Sequence, residues 1–234
     1  LKKKNKMSKL KKIILVSSFI IVFISFFVFN LNDFFSIDYI KKNNEIISEY
    51  INSNFFYSII FSYLIFLISI FFFLPIIAIT TVLLSFIYGP YINIPLSILI
   101  ITLGGTLNFY LLKQISFNKI FIKAKKISKN LNFKIKENEF QYSLLLRFIP
   151  MPYIVQNAIL VLFNIKTKIF IISTLFGVSP YVIIYSIAGY KLKDLIHKSE
   201  NITIDDLVNY ENFFILIFLI LFIYISMIIK KKFN

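Results

Sequence analysis

Residues 141–163 read QYSLLLRFIPMPYIVQNAILVLF and hold Arg147, the only arginine of the 234-residue chain. A cation inside a bilayer costs from ~3 to more than 10 kcal/mol, so it normally faces a cavity, a partner or a ligand. Pro150 and Pro152 follow closely and remove two backbone donors, which excludes a regular helix. Irregular backbone at membrane depth is tolerated only where protein or water surrounds it. The stretch therefore predicts a broken helix that encloses a polar site.

The composition around this stretch is typical of a membrane protein with several spans. Hydrophobic residues make up 58% of the chain, and several apolar runs approach the ~20 residues that cross a bilayer as a helix. The net charge of +15 comes mainly from lysines in polar stretches that flank those runs. Cytoplasmic membrane loops have this composition, so the charge does not indicate nucleic-acid binding.

The sequence carries no signature of catalysis or of metal binding. With no cysteine and one histidine, thiolate metal sites and imidazole-rich metal sites are excluded. The motifs H-E-x-x-H, G-x-S-x-G and the Walker lysine loop are absent from the sequence. We therefore expect no enzyme activity, no catalytic residue, no metal and no cofactor.

The distribution of charge predicts the topology. Lysines dominate 1–12, 113–141 and 230–232, whereas acids outnumber lysines in 32–53 and 191–212. Since lysine-rich loops stay in the cytoplasm, these segments alternate inside and outside, and both termini are cytoplasmic.

The second half of the chain fits this topology only if its first apolar segment folds back. Two apolar segments, 142–163 and 169–190, are joined by residues 164–168, which include two lysines. Two full crossings would put this loop on the acid-rich side. A re-entrant hairpin that breaks between Pro150 and Pro152, followed by one span, keeps the loop in the cytoplasm.

The first half, 55–113, has the same pattern in the opposite orientation. Its apolar stretch is interrupted at Pro75 and turns at Gly89-Pro90, and such residues usually end helices. A span that contains Gly104-Gly105 follows. One hairpin and one crossing fit the topology, and so do three full crossings in which residues 55–74 span alone.

The predicted fold is an all-α integral membrane protein, a polytopic helical bundle with two inverted re-entrant hairpins. Its parts are residues 1–54 with a span over 13–31, a membrane domain over 55–190, and residues 191–234 with a span over 213–229. The apolar run 13–31 is longer than a signal-peptide core, so we expect it to be retained. Residues 114–141 predict either an amphipathic helix on the anionic leaflet or a solvated basic loop.

Candidate translocation residues surround the break. Arg147 suits a phosphodiester, because its planar fork makes two parallel charge-assisted hydrogen bonds. Alternatively, it satisfies carbonyls freed near Pro150 and Pro152 or those that end the opposing hairpin. Gln156 and Asn157 either cap broken helix ends or contact a headgroup, and Asn108 either bonds a neighbouring helix or contacts substrate. Candidate hinge and packing residues are Pro75, Gly89, Pro90, Gly104, Gly105, Gly177, Pro180 and Gly189.

Three groups of residues together resemble a known family. They are Leu146 to Pro152 with Asn157; Phe170, Gly177, Pro180 and Gly189; and Phe86 to Pro90 with Gly104 to Thr106. Their order and spacing resemble the VTT domain of the SNARE-associated Golgi protein group, related to bacterial DedA proteins, over residues 70–190. The resemblance implies a multi-pass membrane protein with two opposed re-entrant hairpins. Its superfamily includes lipid scramblases and transporters of polyprenyl phosphate carriers.

Two features depart from the family pattern. Val161 stands near a position that is usually glycine, which predicts looser packing of the second hairpin. The membrane acids that the family associates with proton coupling have no counterpart, because all eleven acids of this chain lie in polar stretches. Proton-driven transport is therefore not expected.

The sequence thus predicts a translocase or scramblase for phospholipid or another lipid phosphate, in which Arg147 is a transient phosphate stop. Two alternatives stay open: a non-transporting membrane scaffold, and a small-solute transporter that uses the same site. The expected partners are membrane lipids, with anionic contacts along 113–141, and a homo-oligomer is left open. The lack of an evident sorting motif favours a bacterial inner membrane over an organelle.

Overall fold

The structure is a computed structural model that describes residues 9–31, 33, 39, 42–115, 135–149 and 151–197. Within those residues the regular structure is entirely helical, with no strand. The main helices are α1 (Lys9–Val28), α2 (Asn44–Ser53), α3 (Phe55–Phe71), α4 (Ile77–Tyr88), α5 (Pro90–Ile115), α6 (Glu139–Phe148), α7 (Tyr153–Leu162) and α8 (Thr167–His197).

Two long antiparallel helices, α5 and α8, form the centre of the molecule. Asn93 near the start of α5 bonds Ser186 near the end of α8, and Phe109 near the end of α5 stacks on Phe170 near the start of α8 at 4.1 Å. Both helices are long and apolar enough to cross a bilayer, as Pro90–Ile115 and Thr167–Lys193. A third candidate span arises if α2 and α3, which meet at 115°, are counted as one.

Each long helix follows a broken pair of shorter helices that returns to where it began. In the first pair, α3 and α4, the rings of Phe55 and Tyr88 lie 6.3 Å apart. In the second pair, α6 and α7, Glu139 Oε2 accepts the backbone N–H of Lys166 at 3.0 Å. The first hairpin opens where Gly89 joins α4 to α5, which we call the Gly89 end. The second opens at the opposite end of the α5–α8 pair, the Asn164 end.

The two hairpins are interlocked through the long helices. Helix α3 packs on α5 and α6 packs on α8, within their own halves, whereas α4 packs on α8 and α7 packs on α5. Four glycines lie at these contacts: a side chain at Gly104 would meet Ile70, at Gly105 Tyr153, at Gly177 Arg147 and at Gly189 the carbonyl of Val82. Small residues allow such close approach between helices in lipid.

The breaks follow from local backbone chemistry. Helix α3 ends at Phe71. Phe73, two residues later, has a left-handed φ of 60°, and the N–H of Leu74 bonds the carbonyl of Ser69. Pro75 then cannot donate to a continued helix. Gly89, with a φ of 79°, makes the turn into α5, and Pro90 occupies the first helical position, where its missing N–H costs nothing.

Several boundaries differ from the predictions. The loop predicted over 32–53 contains α2, and α8 continues to His197, beyond the expected end at residue 190. Pro180 lies inside α8 without breaking it. Helix α1 begins at Lys9 rather than at residue 13 and ends at Val28.

Some predictions fall outside the described residues. They concern Pro150, most of the connection 114–141, the loop from residue 198 onward and the C-terminal helix over 213–229.

Candidate functional site

Arg147 lies in the last turn of α6, where only 3% of the residue is exposed. Its Nη1 donates to Gln156 Oε1 at 3.1 Å and to Asn157 Oδ1 at 2.9 Å, both on α7. Its Nη2 donates to Thr174 Oγ1 on α8 at 2.8 Å. A cation at a helix C-terminus is also favoured by the helix dipole. The side chain therefore ties three helices together.

Among the described residues, no acid pairs with the positive charge of Arg147. All three hydrogen-bond acceptors are neutral, and its Nε finds no partner in the described part of the chain. The guanidinium carbon lies 4.9 Å from the ring centroid of Tyr153 and 5.0 Å from that of Phe170, and such cation–π contacts recover only part of the desolvation cost. The site retains a capacity to bind an anion.

Gln156 has two roles at this site. Besides accepting from Arg147, its Nε2 donates to the carbonyl of Ile149 at 3.1 Å and weakly to that of Met151 at 3.5 Å. The hydrogen bonds of Arg147 to the described residues go to side chains, and Gln156 bonds the carbonyls of Ile149 and Met151 beside the break. Gln156 thus caps the end of α6.

A cavity of about 690 Å³ lies where the two hairpin tips meet. Arg147 and Gln156 are on its wall, and most of the remaining lining is apolar or aromatic. The lining includes Phe23 of α1, Pro75 and Ala78 of the first hairpin, Ile149 and Pro152 of the second, and Pro180, Tyr181 and Tyr185 of α8. Since Pro75, Ala78, Ile149 and Pro152 are exposed, the cavity has an opening between the tips, on the side of the molecule.

Between Arg147 and the Asn164 end the interior is closed by packed side chains. Phe109, Leu160, Val161, Ile165 and Phe170 form one buried cluster there, each at most 5% exposed. Val161, in the position for which looser packing was expected, is itself 5% exposed within this cluster. The site is therefore reached from the cavity side only, in the conformation described.

The predicted residues divide into three sets. Arg147, Gln156 and Asn157 come together, and Pro75, Pro152 and Pro180 line the cavity. Asn108 lies elsewhere and donates to the carbonyl of Ile70 at 2.9 Å, which is the interhelical bond expected of it. The four helical glycines pack helices, and Gly89 makes a turn.

Sequence reasoning missed Thr174, Tyr153 and Phe170 as partners of the guanidinium. A signal existed for Thr174, which precedes Gly177 by one helical turn on the same apolar helix. Sequence reasoning also placed every acid in a polar loop, yet Glu139 is the first residue of α6 and is 5% exposed.

Glu139 holds the base of the second hairpin. Its carboxylate accepts from Lys136 Nζ at 2.6 Å and from the backbone N–H of Lys166 at 3.0 Å. Burial acts to raise the pKa of Glu139, but these two hydrogen bonds and the lysine charges outweigh it and hold the pKa below its ordinary value. Within the described ranges no three His, Asp or Glu side chains lie close enough to hold a metal ion.

The first half contains a second polar cluster, built around Asn93 of α5. Its Oδ1 accepts from Tyr63 of α3 at 2.8 Å and from Ser97 at 2.7 Å. Its Nδ2 donates to the carbonyl of Thr81 on α4 at 3.0 Å and to Ser186 Oγ on α8 at 2.8 Å. This Asn93 cluster is neutral, and the polar atoms of Asn93 all have partners.

Comparison with known proteins gives one match. The family model described as VTT domain matches residues 74–191, about half of the chain. The matched range runs from the tip of the first hairpin into α8 and includes Arg147, its three partners and most of the cavity wall. No curated protein and no solved structure matches the chain significantly.

Proposed function

The chain belongs to the VTT domain family, and from the site around Arg147 we propose that it is a multi-pass membrane protein that moves lipids with an anionic headgroup between leaflets. One observation carries the proposal: a buried guanidinium that has no counter-charge among the described residues lies on the wall of a largely apolar cavity. A lipid phosphate has complementary chemistry, because its oxygens pair with the fork while its tail suits the apolar lining.

The depth of Arg147 supports a site within the bilayer. Tyr91 and Tyr110 of α5 are exposed, and their sequence separation corresponds to ~29 Å of helix, close to the thickness of the hydrocarbon core. Tyrosines prefer the two interfaces of a membrane. Gly177, which contacts Arg147, lies ~15 Å along α8 from Thr167, which corresponds to the middle of such a core.

The hairpins in this proposal enter the membrane from opposite sides and meet at Arg147. Each begins and ends at the same end of the α5–α8 pair. The Asn164 end carries Lys113, Lys136, Lys166 and Lys168 and is assigned to the cytoplasm, whereas α2, with Glu45 and Glu49, lies outside.

Cysteine labelling tests this topology in a chain without native thiols. Both Asn164 and Glu49 are exposed, so Asn164→Cys and Glu49→Cys are expected to react with an impermeant maleimide from opposite faces of sealed vesicles. Reaction of both from the same face would overturn the arrangement.

The mechanism follows from the opening of the cavity. Acyl tails stay in the bilayer beyond the exposed residues Pro75 and Pro152, while the headgroup enters between the hairpin tips. There Arg147 replaces part of the hydration that the phosphate loses, which lowers the cost of crossing ~30 Å of hydrocarbon. A single cation holds the phosphate without trapping it.

Reconstitution into liposomes with fluorescent phosphatidic acid or phosphatidylglycerol tests the proposal. We expect Arg147→Gln to slow lipid movement at least tenfold, and Arg147→Lys to retain part of it, because charge persists without the fork. Lys168→Ala, which removes an exposed cation from α8 that does not line the cavity, is the control and should move lipid like the wild type. Gel filtration and thermal unfolding in detergent establish that each variant is folded.

A membrane scaffold is the second candidate, because Arg147 joins α6, α7 and α8 through three hydrogen bonds. It predicts that folded wild-type protein moves no lipid and that Arg147→Gln lowers the unfolding temperature. Lipid movement by the wild type that depends on Arg147 would reject it.

A further inference from the structure

Two tyrosines continue the cavity wall from Arg147 along α8. Gly177, which contacts the Arg147 side chain, is followed at intervals of four residues by Tyr181 and Tyr185. Residues spaced in this way lie on one face of a helix. Both tyrosines line the cavity, and their ring centroids are 5.9 Å apart.

The hydroxyls of these two tyrosines have no hydrogen-bond partner among the described residues. Other enclosed tyrosines of the chain differ: Tyr63 donates to Asn93 and Tyr153 donates to the carbonyl of Ile101. An enclosed tyrosine hydroxyl normally finds a partner. Tyr181 and Tyr185 are half-buried, and both line the same cavity as Arg147 and Gln156, so their hydroxyls are available to a ligand there.

The position of the tyrosines gives the cavity a direction. Each step of four residues rises ~6 Å along α8, so Tyr181 and Tyr185 lie ~6 and ~12 Å from the level of Gly177, towards the Gly89 end. In the other direction the buried cluster around Phe109 and Phe170 closes the interior. Within the cavity, the tyrosine hydroxyls of α8 thus extend from Arg147 towards the Gly89 end.

We propose that Tyr181 and Tyr185 form a second binding station, which takes the phosphate of a lipid from Arg147 and directs it towards the Gly89 end. This proposal rests on the proposed function of the Arg147 site. A phenol hydroxyl donates to a phosphate oxygen but carries no positive charge. Each tyrosine therefore binds the headgroup more weakly than the guanidinium does. The headgroup can therefore leave Arg147 without losing all of its hydrogen bonds.

The test separates binding from movement with hydroxyl-deletion variants. Tyr181→Phe and Tyr185→Phe keep the rings and remove only the hydroxyls, and Tyr190→Phe, at an exposed position of the same helix, is the matched control. Binding of dioctanoyl phosphatidic acid to protein in detergent gives the affinity. Liposomes with fluorescent phosphatidic acid give the rate of movement.

We expect each single variant to slow lipid movement about three- to tenfold and the double variant at least tenfold, with affinity changed less than threefold while Arg147 is intact. Movement equal to that of Tyr190→Phe, in a wild type whose movement depends on Arg147, would overturn the second station and leave the proposed function standing. If the wild type moves no lipid, the proposed function fails. In that case the tyrosines are tested by measuring the affinity of Arg147→Gln for phosphatidic acid with and without the two hydroxyls. A further loss of affinity of at least threefold on removing both hydroxyls supports the tyrosines as ligands. No further loss refutes them.

Discussion

The two halves of the molecule repeat one helical plan, but each contains a polar cluster of different chemistry. In the first half, Asn93 joins α3, α4, α5 and α8 through four neutral hydrogen bonds, and its polar atoms all have partners. In the second half, Arg147 joins α6, α7 and α8, borders a cavity and has no counter-charge in the part of the chain that the structure describes. A satisfied polar cluster specifies packing, whereas a cation without a counter-charge calls for a ligand.

The strongest test of this comparison measures both stability and lipid movement for one variant in each half. Asn93→Ala should lower the free energy of unfolding by about 2–3 kcal/mol, because it strands buried partners on three neighbouring helices. Arg147→Gln should change stability by less than about 1 kcal/mol, since the removal of an uncompensated buried charge offsets the lost hydrogen bonds. Urea or thermal unfolding in detergent measures both, and lipid movement per folded molecule should fall only for Arg147→Gln. A large loss of stability in Arg147→Gln, with reduced lipid movement in Asn93→Ala, would show that Arg147 rather than Asn93 has the structural role.

Each long helix has one glycine at a contact with a helix of the other half. A side chain at Gly189 would strike the backbone carbonyl of Val82, whereas one at Gly105 would strike the hydroxyl end of Tyr153, a side chain that can move. Gly189→Ala should therefore destabilise by about 2–3 kcal/mol, and Gly105→Ala by about 1 kcal/mol. Gly105→Ala should also slow lipid movement by more than its small loss of stability would explain, because Tyr153 contacts the Arg147 guanidinium. Equal thermal shifts for the two variants would contradict the comparison.

The bases of the two hairpins differ in charge, which predicts a pH effect. The first is closed by the neutral pair Ser62 and Tyr88, and the second by ionised Glu139. Because the folded-state pKa of Glu139 is lowered, its stabilisation is present above its ordinary pKa of 4.5 and is lost as the pH falls through the folded-state value.

Glu139→Gln should cost about 1 kcal/mol at pH 7 and should remove this acid-dependent loss. Ser62→Ala, the control at the other hairpin, should leave the pH dependence of thermal unfolding unchanged. An unaltered acid profile in Glu139→Gln would assign that dependence to other groups.

The sequence was informative where a feature is local. Pro75 and Pro152 predict the helix breaks, and Gly89-Pro90 predicts a turn, because these residues act through their own backbone. An arginine in an apolar stretch indicates the site, because its charge is costly to bury. The sequence could not reveal that Thr174 and Tyr153 complete the site, since their placement depends on how α7 and α8 pack. Helix α2 was missed because its short amphipathic pattern, with Ile47 and Ile51 packed on the first hairpin, lies between charged and polar residues that resemble a loop.

The exchange of partners between the halves has a consequence for how the chain is held together. Helix α4 covers α8 and α7 covers α5, so a polypeptide cut between Ile115 and Ile135 would yield two fragments, each with one helix whose proper neighbour sits on the other piece. The two fragments would bury the exposed faces of these helices only by associating with each other.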